Sequence, residues 1–333
     1  WNDTQVESYR NFANKIWNAA RFCLMNSEGA YVGEGFEGDP KSWALHDRWI
    51  MSRLQRASYD VGRALESYDF HAAVQTLYHF FWDDFCDWYI ELSKADVTVT
   101  EATLARNDAR SRVLTILEQA LRLLHPFMPF ITEDLWQRLP GIGSHFLHSA
   151  YKDAEPTIML TSYPQARMGL IDERAEADVQ SLIELVSRVR NIRSEMNIKP
   201  GEPVRIMIAA PDADARAVFE SGAQQIARLV RASDILIGET INAPRASARA
   251  VLAGGAEVAV PLEGLIDFAK EHERLNNERG KLEKEAAKLE AQLANSNFVE
   301  SAPAEKVEEL RQRLADLAQR TRQLTQTVEA LSE

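Results

Sequence analysis

The sequence predicts a mainly α protein in three parts: a helical bundle over residues 1–168, a small α/β connecting domain over 169–263, and a C-terminal antiparallel coiled-coil hairpin over 264–333. Three observations carry this. Helical periodicity runs almost unbroken from Val6 to Leu139, a glycine-marked hairpin pattern follows in the middle, and a heptad pattern closes the chain. With 333 residues, 45% of them apolar, the chain is long enough for several cores. Its formal net charge of −12 excludes indiscriminate nucleic-acid binding, which needs a broad basic surface, so an RNA partner must meet a local patch and DNA is not expected.

The first helix, predicted over residues 6–26, is amphipathic in an unusual way. Phe12, Ile16, Ala19 and Cys23 make an apolar stripe, whereas Asn11, Asn14, Lys15 and Asn18 make a polar one on which Phe22 falls. An aromatic ring beside amides and a cation suits stacking of an unpaired base; a ring that tilts toward Ala19 instead completes the core. Both readings stand at this point. Residues 27–42, rich in glycine and acids, predict a loop. A second helix, 45–68, sets Arg48, Arg53, Arg56 and Arg63 on its polar side and Trp49, Ile50, Leu54 and Val61 inward. The third, 70–94, carries too many rings for one stripe, so it must pack on more than one side. In the fourth segment, 101–139, Pro126 and Pro129 end one helix and start another near Thr132. Residues 140–165 read as an irregular tail wrapping back over the bundle.

Beyond it, a helix at 173–196 leads into a strand at 204–209, a helix at 213–231, a strand at 235–237, and a hairpin in which 250–252 and 258–260 flank Gly254-Gly255. In the last part Leu275, Leu282 and Leu289 recur every seven residues with Ala286 and Leu293 between them, and Val307, Leu310, Leu314, Leu317, Thr321, Leu324, Val328 and Leu331 continue the alternation. His272 and Arg279 interrupt this seam near its start. The turn Asn295 to Pro303 requires the two helices to fold back on each other.

The residues offer little chemistry. Asp83, Asp84 and Asp87 lack a histidine or carboxylate at ligand spacing and read as a solvated face; His125 before Pro126 reads as a packing residue, and His145 and His148 make no pair. No serine sits in a nucleophile elbow, and Gly33-Glu34-Gly35 lacks the strand and helix of a phosphate loop. Hence no catalytic or metal site is expected. The two cysteines, Cys23 and Cys86, lie in apolar patterns, which favours a reducing, cytoplasmic setting without disulfides; no secretory leader or membrane span is expected either. Because residue 1 is Trp rather than Met, the chain is expected to belong to something longer.

Taken in order, several motifs resemble one family. They are Asn11 to Phe22, Asp47-Arg48-Trp49-Ile50, Trp82 to Glu91, Leu124 to Glu133, Arg190 to Asn197, and the final hairpin with Asn297-Phe298-Val299 and Ala302-Pro303. Together they cover essentially the whole chain and are similar to the C-terminal half of bacterial valyl-tRNA synthetases, class I aminoacyl-tRNA synthetases. The Leu124 to Glu133 and Arg190 to Asn197 stretches are shared with isoleucyl and leucyl relatives, whereas the first motif and the coiled-coil ending favour valine. This resemblance implies an anticodon-binding helical bundle and an arm on the outer corner of tRNA. It makes Lys15, Asn18, Arg21, Phe22, Ile90 and Glu91 candidates on the anticodon side, and Arg313, with Lys281, Lys284 and Lys288, candidates on the arm. It further implies tRNA(Val) as partner, no cofactor in this segment, and ATP with Mg²⁺ for the full enzyme. The family's nucleotide-binding signatures and editing domain are missing, so this segment is not expected to activate valine. The competing readings are a helical scaffold or dimerisation module whose coiled coil recruits a protein partner or a second copy of the chain, and the equivalent segment of an isoleucyl or leucyl relative; the RNA reading expects a monomer.

Overall fold

The computed structural model describes residues 3–266, 268–294 and 304–332 and divides the chain into two compact units, Trp1–Ile183 and Glu184–Glu333. The first unit is all helical. It holds α1 (Asp3–Met25), α2 (Leu45–Glu66), α3 (Phe70–His79), a π-helical segment (Phe80–Tyr89), α4 (Ile90–Val97), α5 (Leu104–Leu124) and α6 (Pro129–Trp136). Its core is built from Ile16, Ile50, Leu54, Phe81, Phe85, Tyr89, Leu114, Leu117 and Trp136.

The π segment corrects the expectation of one continuous α-helix over 70–94. Its backbone bonds run from residue i to i+5, as in the Ile90 N–H donating to the Phe85 carbonyl. Phe81, Phe85 and Tyr89 follow each other at intervals of four and stack into a buried ladder, with ring centroids 5.3 and 6.0 Å apart, while Phe80 and Cys86 fill the flanks.

Caps and turns fall where the residue types dictate. Asp69 and Thr103 cap α3 and α5 by accepting the N–H groups of Ala72 and Arg106, and Pro129 opens α6 at its first turn. The loop after α1 is laced to α5: Ser111 and Thr115 accept the N–H groups of Tyr31 and Gly33. Gly35, at φ +88°, lies so close to α5 that a Cβ would sit 2.6 Å from the Asp108 carbonyl, so these glycines serve packing. Residues 140–165 do wrap over the bundle. Tyr163 donates to the Leu123 carbonyl, Arg122 to that of Ser162, and Glu133 accepts from Thr157 and the Ile158 N–H.

The division between units falls within α7 (Glu173–Glu195). The second unit contains β1 (Val204–Ala209), α8 (Ala213–Ser221), α9 (Ala223–Val230), β2 (Ala232–Gly238), β3 (Ser247–Val251) and β4 (Glu257–Pro261). Strand order is β2-β1-β4-β3, with β1 parallel to β2 and the other pairs antiparallel. The helix expected over 213–231 is broken at Gly222, which closes α8 and opens α9. Arg193, buried near the end of α7, donates to the carbonyls of Lys199, Glu202 and Val230 and so ties the loop before β1 to the end of α9.

Two long helices end the unit, α10 (Phe268–Leu293) and α11 (Ala304–Ser332). The heptad residues form the seam between them: Leu275, Val307, Leu310, Leu317 and Val328 are buried, and Leu282, Leu289, Leu314 and Leu324 half-buried. Arg279 stands half-buried at the seam and pairs with Glu283 at 3.6 Å. The turn assigned to 295–303 and the side chains of His272 and Leu331 lie outside the described residues.

Candidate nucleic-acid interface

The face of interest is set by how α1 sits on the π segment. Phe12 anchors the contact, its ring 4.9 Å from Tyr78, 6.1 Å from Phe81 and 6.3 Å from Trp82, with Tyr78 and Trp82 themselves stacked at 5.4 Å. With Phe12, Ile16, Ala19 and Cys23 turned inward, the helical period brings Asn14, Asn18 and Arg21 to the surface and Lys15 and Phe22 to its margin.

Phe22 satisfies neither of the two sequence readings outright. Its ring is half-buried, and the Lys94 ammonium stands 5.7 Å from its centroid while also pairing with Glu91. The result is a partly exposed ring with a cation on it, fixed from the α4 side. Lys94, which the sequence reading did not single out, thus joins Phe22 to Glu91. The signal was present, since Lys94 lies one turn after Glu91 on the same helix.

The other candidates separate by what they already hold. Lys15 is committed: its ammonium is 2.5 Å from Asp87 and 4.9 Å from the Trp82 ring centroid. Asn18 and Arg21 are exposed and have no side-chain partner among the described residues, which leaves their donors available. Ile90 is 6% exposed and packs in the bundle interior, so it supports the face from behind and does not present its side chain there. On the arm, Lys281, Lys284 and Lys288 are exposed along one side of α10. Arg313 bridges to Glu285 of the facing helix, Nη2 at 2.6 Å and Nε at 3.1 Å. Exposed pairs of this kind contribute little to stability, so a phosphate can replace the carboxylate at small cost.

The acidic triplet is accounted for pair by pair. Asp83 meets His79 at 2.8 Å, Asp84 meets Arg53 at 2.8 Å, and Asp87 meets Lys15. Burial raises the Asp84 carboxyl above its usual range and the Arg53 guanidinium counters this. No group of three or more metal-ligating side chains occurs among the described residues. His125 pairs with the Thr132 hydroxyl at 2.7 Å, and burial lowers its pKa, in keeping with a packing role at the proline turn.

Beneath the face lies a buried polar cluster that fixes the end of the π segment. Asp47, only 2% exposed, accepts hydrogen bonds from the Tyr89 hydroxyl at 2.8 Å and Arg112 Nη1 at 3.0 Å. His46 Nε2 lies 3.7 Å from Asp47 and 3.3 Å from Asp96. Burial disfavours the charged imidazole, but Asp47 and Asp96 outweigh it and raise its pKa. This cluster ties α2, α4, α5 and the last π turn together. It explains why Asp47 and Tyr89 both lie in the motifs singled out in the sequence.

Residues 47–208 match the family model described as the anticodon-binding domain of tRNA ligase, and residues 267–332 match that of the valyl tRNA synthetase tRNA binding arm. Among similar curated proteins, the valine--tRNA ligase of Geobacter sulfurreducens is 39% identical over 335 residues, covering 99% of this chain and 36% of the relative. That of Thermotoga maritima is 40% identical over 309 residues, 92% of this chain and 32% of the relative. That of Geobacillus stearothermophilus is 38% identical over 312 residues, 94% and 34% respectively. The chain therefore spans about a third of the length of the curated relatives it matches.

Proposed function

The chain belongs to the valyl-tRNA synthetase family, whose C-terminal tRNA-binding part it matches, and from that premise we propose that it holds tRNA(Val) while the whole protein joins valine to that RNA using ATP and Mg²⁺. The observation that carries this reading is the α1 face. A half-buried ring, Phe22, stands beside two donors without partners, Asn18 and Arg21, on a helix fixed by the aromatic ladder beneath it. Splayed anticodon bases stack on such a ring and present their edges to the donors. The arm adds cations along α10 and at Arg313, which suit backbone phosphates. Two modest contacts on one rigid RNA reinforce each other, which lets a protein of net charge −12 bind nucleic acid without a broad basic surface.

The segment acts as a monomer in the cytoplasm, where tRNA is charged. Among the described residues no helix is long and apolar enough to cross a membrane. Titration of the chain with tRNA(Val) and with an anticodon-swapped variant tests the proposal: the swapped RNA binds more weakly if the α1 face reads the anticodon, and equally well if it does not.

A further inference from the structure

A cavity of about 720 Å³ in the second unit lies where α10 and α11 leave the sheet, and its lining is rich in arginine. Five arginines, Arg188, Arg245, Arg249, Arg274 and Arg320, line it together with two glutamates, Glu195 and Glu278, in a chain of net charge −12. Its floor is the apolar start of the arm seam, Leu275, Leu282 and Leu324, with Ile192 of α7.

The arginines fall into two groups. Three are engaged. Arg274 donates to Glu278 at 3.1 Å and to the Glu195 carbonyl at 2.9 Å, Arg249 to Glu257 at 2.9 Å, and Arg188 to Glu184 at 3.4 Å. The other two, Arg245 before β3 and Arg320 on α11, line the same cavity, are exposed, and have no partner among the described residues. They come from stretches 75 residues apart, so no local pattern placed them together. Neither guanidinium is matched by a carboxylate of its own, although Glu195 and Glu278 share the lining, and the planar donor forks of both fit phosphate oxygens.

We propose that this cavity seats the backbone phosphates of the bound RNA, with Arg245 and Arg320 as the clamping residues and Arg188 and Arg249 at its rim. The proposal rests on the tRNA reading above and extends it: the RNA contact continues past the matched arm, residues 267–332, onto α7 and β3. Arg274, held by a carboxylate and a helix-end carbonyl, keeps the base of α10 in place and does not contact the RNA.

The test uses the whole chain, wild type and Arg245→Gln/Arg320→Gln, titrated with tRNA(Val) and an anticodon-swapped tRNA across a salt series, with melting curves recorded with and without millimolar inorganic phosphate or a mononucleotide. Loss of two phosphate contacts lowers affinity roughly tenfold, equally for both RNAs, and reduces the salt slope by about 2. Melting of the double variant without ligand stays that of the wild type. Equal affinity and salt slope for wild type and double variant overturn the proposal while leaving the tRNA reading intact. Unchanged RNA binding, together with phosphate or mononucleotide stabilisation of the wild type alone, also overturns it by assigning the cavity to a small phosphate ligand. A wild-type chain that binds no tRNA overturns the underlying reading and this proposal together.

Discussion

Replacing Asp47 by alanine removes the centre of the buried cluster under the candidate interface, and the cost follows from what it leaves behind. Asp47 is 2% exposed and accepts from two groups: the fully buried Tyr89 hydroxyl and Nη1 of Arg112, a mostly buried guanidinium whose Nε also donates to the Gly35 carbonyl. Truncating one partner of a buried ion pair costs about 3–5 kcal/mol, because the other charge stays desolvated and unpaired. For a unit of 183 residues each kcal/mol moves the midpoint by about 2–4 °C, so the transition of this unit falls by roughly 6–20 °C. Calorimetry of wild type and D47A measures it. The companion Arg112→Met separates the pair from the cavity: in the double variant the buried charge is gone, and the two losses add to less than their sum. A loss under about 1 kcal/mol for D47A, or strict additivity with R112M, would refute the assignment of Asp47 as the keystone of the cluster.

Other outcomes follow from the same geometry. Phe22→Ala weakens tRNA binding by about 1–3 kcal/mol, the usual worth of a base-stacking ring, with little change in melting temperature; a large loss of stability with unchanged RNA affinity returns Phe22 to the core. Because Asp47 and Asp96 raise the His46 pKa above its unfolded value, the protonated imidazole stabilises the first unit fully below the unfolded pKa, and that contribution is lost as pH rises through the folded one. Melting temperatures across that interval therefore fall with pH in the wild type and flatten in His46→Gln. Burial pushes the Cys86 thiol up to about 12 and raises that of Cys23 as well, so neither reacts with a thiol reagent at mild alkaline pH until the unit unfolds. Rapid labelling of the folded chain would contradict this. Sedimentation of the chain at rising concentration gives a monomer throughout; a concentration-dependent dimer favours the coiled coil as a self-association device.

Much of the fold was legible because local periodicity carries it. The heptads of α10 and α11, the hairpin around Gly254-Gly255, and the proline break before α6 each announce themselves over a few residues. The π segment did not, because over ten residues Phe81, Phe85 and Tyr89 fall on one stripe of an α-helix as well, so the change to i to i+5 bonds leaves no periodic mark in the sequence. The site was only partly legible for a different reason. Spacing placed Phe22 and Asn18 on the polar side of α1 and the family resemblance added Arg21, but Lys15 is held by Asp87, 72 residues away, and Ile90 faces inward, outcomes that only tertiary packing decides. The convergence of Arg245 with Arg320 is likewise a product of chain reversal and left no mark in any local window.

The most direct measurement is the ratio of affinities of the chain for tRNA(Val) and for the same tRNA with its anticodon exchanged, taken at one fixed salt concentration. Anticodon reading by the α1 face predicts that the exchanged RNA binds about tenfold or more weakly and that Phe22→Ala narrows the ratio. Equal affinity for the two RNAs would contradict it.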